Sequence, residues 1–160
     1  MAVYKLHLDE FDEVDYQLIA IHTSLEDYRL AYYLNQNLPI LLSKSRDEIQ
    51  ISIKEGATSF SRFVYENAED NSNWNLIQNK NEVLLRQNDT AGGLFFETTY
   101  DVATKVYLLP EFKKVDYFLK VENHQLPFEQ ITENINTIPR ISTVYRVDIA
   151  KIKSKNNLIF

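Results

Sequence analysis

The chain has 160 residues, 17 basic and 23 acidic side chains for a net charge of −6, and no cysteine. Its length suits one domain spanning 1–160 with a core of its own, and 44% apolar with 25% charged residues excludes a disordered or fibrous chain. Zero cysteine removes disulfides, thiolate metal sites and cysteine nucleophiles, and fits a reducing cytoplasm, the expected location.

No apolar run reaches the roughly 18 residues of a membrane span, and Met1–His7 shows no export signal. The charge deficit is confined to the first half: residues 1–80 hold 7 basic and 13 acidic side chains, whereas residues 81–160 hold 10 of each. A net negative chain repels phosphate backbones, so DNA is not an expected partner. Lys151, Lys153 and Lys155, with no acid in the last ten residues, form a local basic patch.

In chain order, an acidic run from Asp9 to Asp15 precedes an alternating strand carrying Val14, Tyr16 and Leu18 on one face. Ser24-Leu25-Glu26-Asp27 reads as an N-cap ahead of a helix with Tyr28, Leu30, Ala31, Tyr32, Tyr33 and Leu34. That helix stops near Pro39, and Ile40–Leu42 follows as a strand. The middle is β throughout: Ile49–Ile53, Phe60–Tyr65, Trp74–Gln78, Val83–Arg86, Leu94–Thr99 and Lys105–Leu109, joined by turn-rich links such as Glu55-Gly56 and the hairpin candidate Gly92-Gly93. A strand over 115–119 follows, with Val115, Tyr117 and Leu119 buried and Lys114, Phe118 and Lys120 outward. Pro127 opens a second helix, whose Phe128, Ile131, Ile135 and Ile138 recur at helical spacing up to Pro139. Ile141–Val147 is the last strand, and the apolar Leu158-Ile159-Phe160 follows the lysines.

Laid against itself, the chain repeats. Residues 8–18 match residues 109–119 without gaps at an offset of 101, with seven of eleven positions identical: Leu, Glu, Phe, Val, Asp, Tyr and Leu. The expected fold is therefore α+β, a mainly antiparallel sheet with two main helices on one face. Pseudo-repeat units 8–42 and 109–147 flank a β-meander, and only those units offer parallel pairs. Tyr16 and Tyr117 should occupy equivalent, mainly buried positions, as should Phe11 and Phe112.

Chemistry is sparse. The carboxylates Asp9, Glu10, Asp12, Glu13 and Asp15 lack the turn glycine of a metal loop, and Asn88-Asp89-Thr90 reads as a turn. His7, His22 and His124 are the only histidines; symmetric packing of the halves would bring His22 and His124 together, still too few ligands for a metal site. With three glycines there is no phosphate loop or dinucleotide fingerprint. No catalytic, cofactor or metal residue is assigned and no cofactor is expected, which leans the reading away from an enzyme.

The run Leu109-Pro110-Glu111-Phe112-Lys113-Lys114-Val115-Asp116-Tyr117 resembles the signature of the IPExxxVDY family of small bacterial proteins, with Leu109 where that signature has isoleucine. Chain length and motif position extend the resemblance over nearly the whole chain. The family is defined by sequence, so no catalytic residue carries over. Its genes often lie beside those for ribonuclease III and pyruvate kinase. In the motif, Leu109, Pro110, Glu111, Val115, Asp116 and Tyr117 read as architecture: core side chains, a fixed backbone and carboxylates that satisfy turn amides.

Three functions follow as expectations. The first is a non-enzymatic intracellular protein-interaction module using Tyr28, Tyr32 and Tyr33, because one helical face cannot bury all three with Leu30 and Leu34. The tail, with Phe160, is the other candidate surface. The second is an accessory factor of the ribosome or RNA processing, which rests on Lys151, Lys153 and Lys155 and the gene neighbourhood that the resemblance implies. The third is a small-ligand binder or enzyme with a cleft between the repeat halves.

Overall fold

The computed structural model describes residues 16–53, 56–89 and 98–160. Ten strands and two helices run in the order β1 Tyr16–Thr23, α1 Asp27–Asn37, β2 Ser43–Lys44, β3 Ile49–Ile53, β4 Gly56–Phe60, β5 Arg62–Asn67, β6 Ser72–Gln78, β7 Lys80–Asp89, β8 Thr98–Tyr107, β9 Tyr117–Glu122, α2 Phe128–Asn136 and β10 Ile141–Arg146. Six strands form one sheet in the order β10-β1-β9-β6-β5-β2, and β3-β4 and β7-β8 are two separate ribbons. Every pairing is antiparallel. The chain is thus α+β, as its patterning predicts. The bracketing units supply no adjacent parallel pair, because β1 lies between β9 and β10.

Both helices cover one face of the sheet. Leu30, Ala31 and Leu34 of α1 and Ile131 and Ile135 of α2 are buried with Ile19, Ile21, Leu76, Leu119 and Val121. Each large side chain so buried contributes about 1.5–3 kcal/mol. The predicted spacing of α2 holds through Ile138, itself buried. The start of α1 differs from expectation: Glu26 is the N-cap and makes no side-chain cap bond. The expected strand at Ile40–Leu42 is displaced to Ser43–Lys44, because the Asn35 side chain bonds both the amide and the carbonyl of Leu42, at 2.7 and 3.0 Å.

The opposite face is covered too, and this overturns one sequence expectation. Phe118 and Lys120 do not look outward; they are buried with Leu18, Ala20 and Ile77 beneath Phe60 of the β3-β4 ribbon, Leu108, Leu109 and the C-terminal Ile152 and Leu158. Val115 joins this second cluster, on the side away from Tyr117, because it sits in the turn before β9 begins. The tail, residues 148–160, is an ordered strap of two short 3-10 turns, Ile149–Lys151 and Lys155–Leu158, laid on the sheet.

Two single residues redirect the chain. Phe60–Tyr65 is not one strand: β4 ends at Phe60, β5 starts at Arg62, and Ser61 between them carries the chain from ribbon to sheet. Asn79 does the same between β6 and β7, and the Gln78 amide bonds the Ser61 carbonyl at 3.1 Å. At the β3-β4 turn Gly56 has φ +136°, a conformation that L side chains rarely adopt.

The element order strand–helix–strand recurs at the repeat offset: β1 and β9 start at 16 and 117, and α1 and α2 at 27 and 128. The matched tyrosines nevertheless face opposite sides. Tyr117 is buried under the helices, whereas Tyr16 is half-buried on the strap side. Antiparallel pairing of Ile21 with Tyr117 and Tyr16 with Glu122 sets this geometry. Phe112 is half-buried on the strap side; Phe11, His7 and the acidic run lie outside the described residues, as does Gly92-Gly93.

Candidate functional site

Tyrosines on α1 split as helical geometry demands. Tyr28 and Tyr32, one turn apart, are 58% and 60% exposed, and Tyr33 leans against the core with its ring 5.6 Å from that of Tyr32 in an edge contact. Arg29 beside them pairs with Glu26 at 3.5 Å, a surface bridge of little energetic weight. The outer stripe of α1 is therefore aromatic and more than half exposed, on a helix whose inner face is buried.

The motif residues form a clamp. Leu109 and Val115 are buried, and Pro110 opens a 3-10 turn to Phe112. Glu111 reaches the strap, where its Oε1 accepts hydrogen bonds from the amides of Lys153 and Ser154, both at 2.8 Å, and its Oε2 accepts one from the Ser154 hydroxyl at 3.1 Å. Burial pushes the Glu111 carboxyl up, and these hydrogen bonds together outweigh it, so the group titrates below its ordinary value. Asp116 Oδ2 accepts the Thr23 amide at 2.9 Å while Oδ1 meets Lys80 Nζ at 2.9 Å. The Tyr117 hydroxyl donates to the Leu25 carbonyl at 2.8 Å, and burial, then the carboxylates of Asp27, Asp116 and Glu26, hold its pKa well above the ordinary tyrosine range.

The clamp closes on a residue that the sequence does not advertise. Asn79 is fully buried; its Nδ2 donates to the carbonyls of Phe112 and Val115, and its Oδ1 accepts the Leu109 amide. Its backbone bonds Asp116 and Leu108 as well. In Gln78-Asn79-Lys80-Asn81 it reads as an ordinary turn asparagine, and only the fold shows otherwise.

Lys151, Lys153 and Lys155 are all exposed on the strap. Phe160 is 44% exposed, with Arg62 and Lys120 over its ring at 4.9 and 4.8 Å. Beneath it lies a polar basin of about 180 Å³ built on two rows across β5, β6 and β9. One row is Val64, Asn75 and Lys120; the other is Glu66, Asn73 and Glu122. Lys120, 8% exposed, donates to the Leu158 carbonyl at 2.9 Å and pairs with Glu122 at 3.2 Å.

The histidines do not meet. His22 stacks on Tyr145 at one end of β1, with Nε2 3.2 Å from the tyrosine hydroxyl. His124 contacts Gln17 at the other end, about 17 Å away at the strand rise. An antiparallel β1-β9 pair sends equivalent ends in opposite directions, and that separates them. The halves share sheet and core, and among the described residues concavities lie at the basin, at a groove of about 140 Å³ beside Lys80 and Asp116, and at one of about 80 Å³ beside Trp74 and His124. Among the described residues no three His, Asp or Glu side chains gather in a metal-holding group. No helix of the described residues is long and apolar enough to cross a membrane. No family model, curated protein or solved structure matches this chain. The resemblance to the IPExxxVDY signature accordingly rests on residues 109–117 themselves.

Proposed function

We propose that this protein is a non-enzymatic, cytoplasmic interaction module of the IPExxxVDY type, which binds a protein partner through the outer stripe of α1. One observation carries the reading: Tyr28 and Tyr32 stand more than half exposed on a helix whose inner face is locked into the core. Exposed tyrosines on a rigid element bring large contact area at small entropic cost, which is the composition of interface hot spots. The motif supports the scaffold: Glu111 holds the strap, Asp116 holds Thr23 and Lys80, and Tyr117 holds Leu25. Affinity capture with tagged protein tests this, wild type beside a Tyr28→Ala, Tyr32→Ala double variant. The expected result is a reproducible partner lost from the variant while its unfolding midpoint is unchanged. No reproducible partner, or one retained by the double variant, refutes it.

The exposed Lys151, Lys153 and Lys155 favour a second reading, an accessory role at the ribosome or on RNA. Such binding weakens steeply with salt. Absence from ribosomal fractions at low salt, with no salt-sensitive RNA binding, removes it.

A further inference from the structure

The six-stranded sheet ends at two edges that are finished differently. At one, β2 is two residues long and its Lys44 is held by Asp27 and Glu48. At the other, β10 runs six residues, and no strand of the described residues lies beyond it. Ile141–Tyr145 contain no proline and no charge, the residue types that keep a bare edge from pairing with another chain. The ladder fixes which backbone groups are bare. The Val147 amide donates to the Leu18 carbonyl at 2.8 Å, so by antiparallel alternation Thr143, Tyr145 and Val147 bond to β1. The N–H and C=O groups of Val144 and Arg146 then point away from the sheet. Ser142 is a bulge without a partner in β1, which leaves 143–147 as the regular edge. Such a row of free donors and acceptors is a template for a further strand.

The residues of that edge select the occupant. A second copy related by a two-fold axis pairs the strand with itself, antiparallel, and only residues whose groups point outward can exchange hydrogen bonds. An axis through Val144 sets the bulged Ser142 against Arg146. An axis through Arg146 sets that guanidinium directly against its own copy, and like charges opposite one another destabilise a pair. An axis through Tyr145 meets neither obstacle. Val144 then exchanges hydrogen bonds with the partner's Arg146, and Thr143 faces the partner's Val147. Tyr145 stands opposite the partner's Tyr145, at a Cα separation of about 4.5 Å. Tyr145 is 39% exposed and stacked on His22, and cross-strand aromatic pairs stabilise a sheet. Arg146 meets an uncharged valine across the axis, with its guanidinium over the Phe128 ring of its own copy at 5.4 Å. We propose that β10 is a self-association edge, at which two copies join β10 to β10 about a two-fold axis at Tyr145 and form one continuous sheet.

Sedimentation velocity over a concentration series tests this. Wild type is expected to shift reversibly toward twice the 18.8 kDa of one chain. Tyr145→Lys and Tyr145→Glu each place like charges across the axis and should stay monomeric, whereas their equimolar mixture should dimerise again. Only a residue that faces itself gives that pattern. Arg146→Pro removes an outward N–H and no bond to β1, so the monomer keeps its ladder while dimerisation should weaken at least about tenfold. It covers the case in which the Tyr145 variants misfold. In the wild-type dimer, amide exchange at Val144 and Arg146 should slow relative to dilute protein. A wild type that is monomeric at every concentration overturns the proposal. So does a dimer retained by Tyr145→Lys, a mixture that stays monomeric, or a dimer that leaves those two amides exchanging freely. Protection of the same amides by a captured protein, with the chain itself monomeric, gives the edge to that protein and equally overturns the proposal. The Tyr28→Ala, Tyr32→Ala variant should dimerise as wild type does, so this result and the partner assay stand or fall separately.

Discussion

Replacing Asn79 by alanine should cost about 3–4 kcal/mol, although the residue touches no solvent and no candidate binding surface. Three hydrogen bonds disappear: from the Leu109 amide, and to the carbonyls of Phe112 and Val115. The Leu109 amide is the expensive loss, because a buried donor left without an acceptor costs about 1–3 kcal/mol. The Phe112 carbonyl still receives the Val115 amide at 3.1 Å, so its share is smaller. A small cavity where the amide group stood adds the remainder. Against a typical total of about 5–15 kcal/mol, the variant stays folded but unfolds at markedly lower urea. Asn79→Asp sharpens the test. A carboxylate there would face two carbonyl oxygens in a buried site, which raises its folded pKa above the unfolded value. Its stability is then highest below the unfolded pKa and falls as pH rises through the folded one, so the deficit relative to wild type should shrink on acidification. Urea unfolding at pH 5 and pH 7.5, with amide exchange at Leu109, reads both effects. An alanine variant within 1 kcal/mol of wild type, or an aspartate variant whose deficit ignores pH, would show that the Asn79 clamp does not hold the motif loop.

Three further outcomes are expected. Tyr117→Phe keeps the ring but leaves the Leu25 carbonyl without its 2.8 Å donor and should cost about 1–2 kcal/mol, whereas Tyr117→Ala should cost about 3–5 kcal/mol by urea denaturation. Glu111→Gln should lower stability by about 1–2 kcal/mol at neutral pH. Because the Glu111 carboxyl titrates below its ordinary value in the folded state, its contribution is present above about pH 4.3 and is lost as pH falls further, so the wild-type and variant midpoints should converge in acid. Arg140 holds φ +70°, which costs an L side chain about 1–2 kcal/mol; Arg140→Gly should therefore raise the thermal midpoint, with the greater unfolded-state entropy of glycine trimming the gain.

Local signals carried much of the fold. The isoleucine spacing of α2, the prolines after both helices and the strict alternation of Ile49–Ile53 all reappear as elements. What they could not convey was the second layer. Phe118 looked like a phenylalanine on a polar face because nothing local says that residues 148–160 return to cover it. Lys120 looked solvent-facing for the same reason, and its partners lie in Leu158 and Glu122. Ser61 was hidden within the apparently continuous β run Phe60–Tyr65, and Asn79 within what reads as an ordinary turn. Of the candidate surfaces, the helix tyrosines were legible from helical geometry. The basin was not, because Arg62, Glu66, Asn73, Asn75 and Lys120 meet only through β-sheet register.

The strand order also bears on how the protein is made. β1 sits between β9 and β10, so its hydrogen-bonding neighbours are about a hundred residues or more downstream: Ile21 pairs with Tyr117, and Ala20 with Tyr145. A nascent chain emerging from its N-terminus can form the β5-β6 and β7-β8 hairpins as soon as each appears, but Leu18–Ile21, buried completely in the finished molecule, must wait for most of the chain. Such non-local closure is slow and leaves apolar strand exposed in the interval. Synthesis halted before residue 117 therefore yields a chain whose β1, the strand that carries these four buried residues, is unpaired on both edges, a substrate for chaperones or for aggregation.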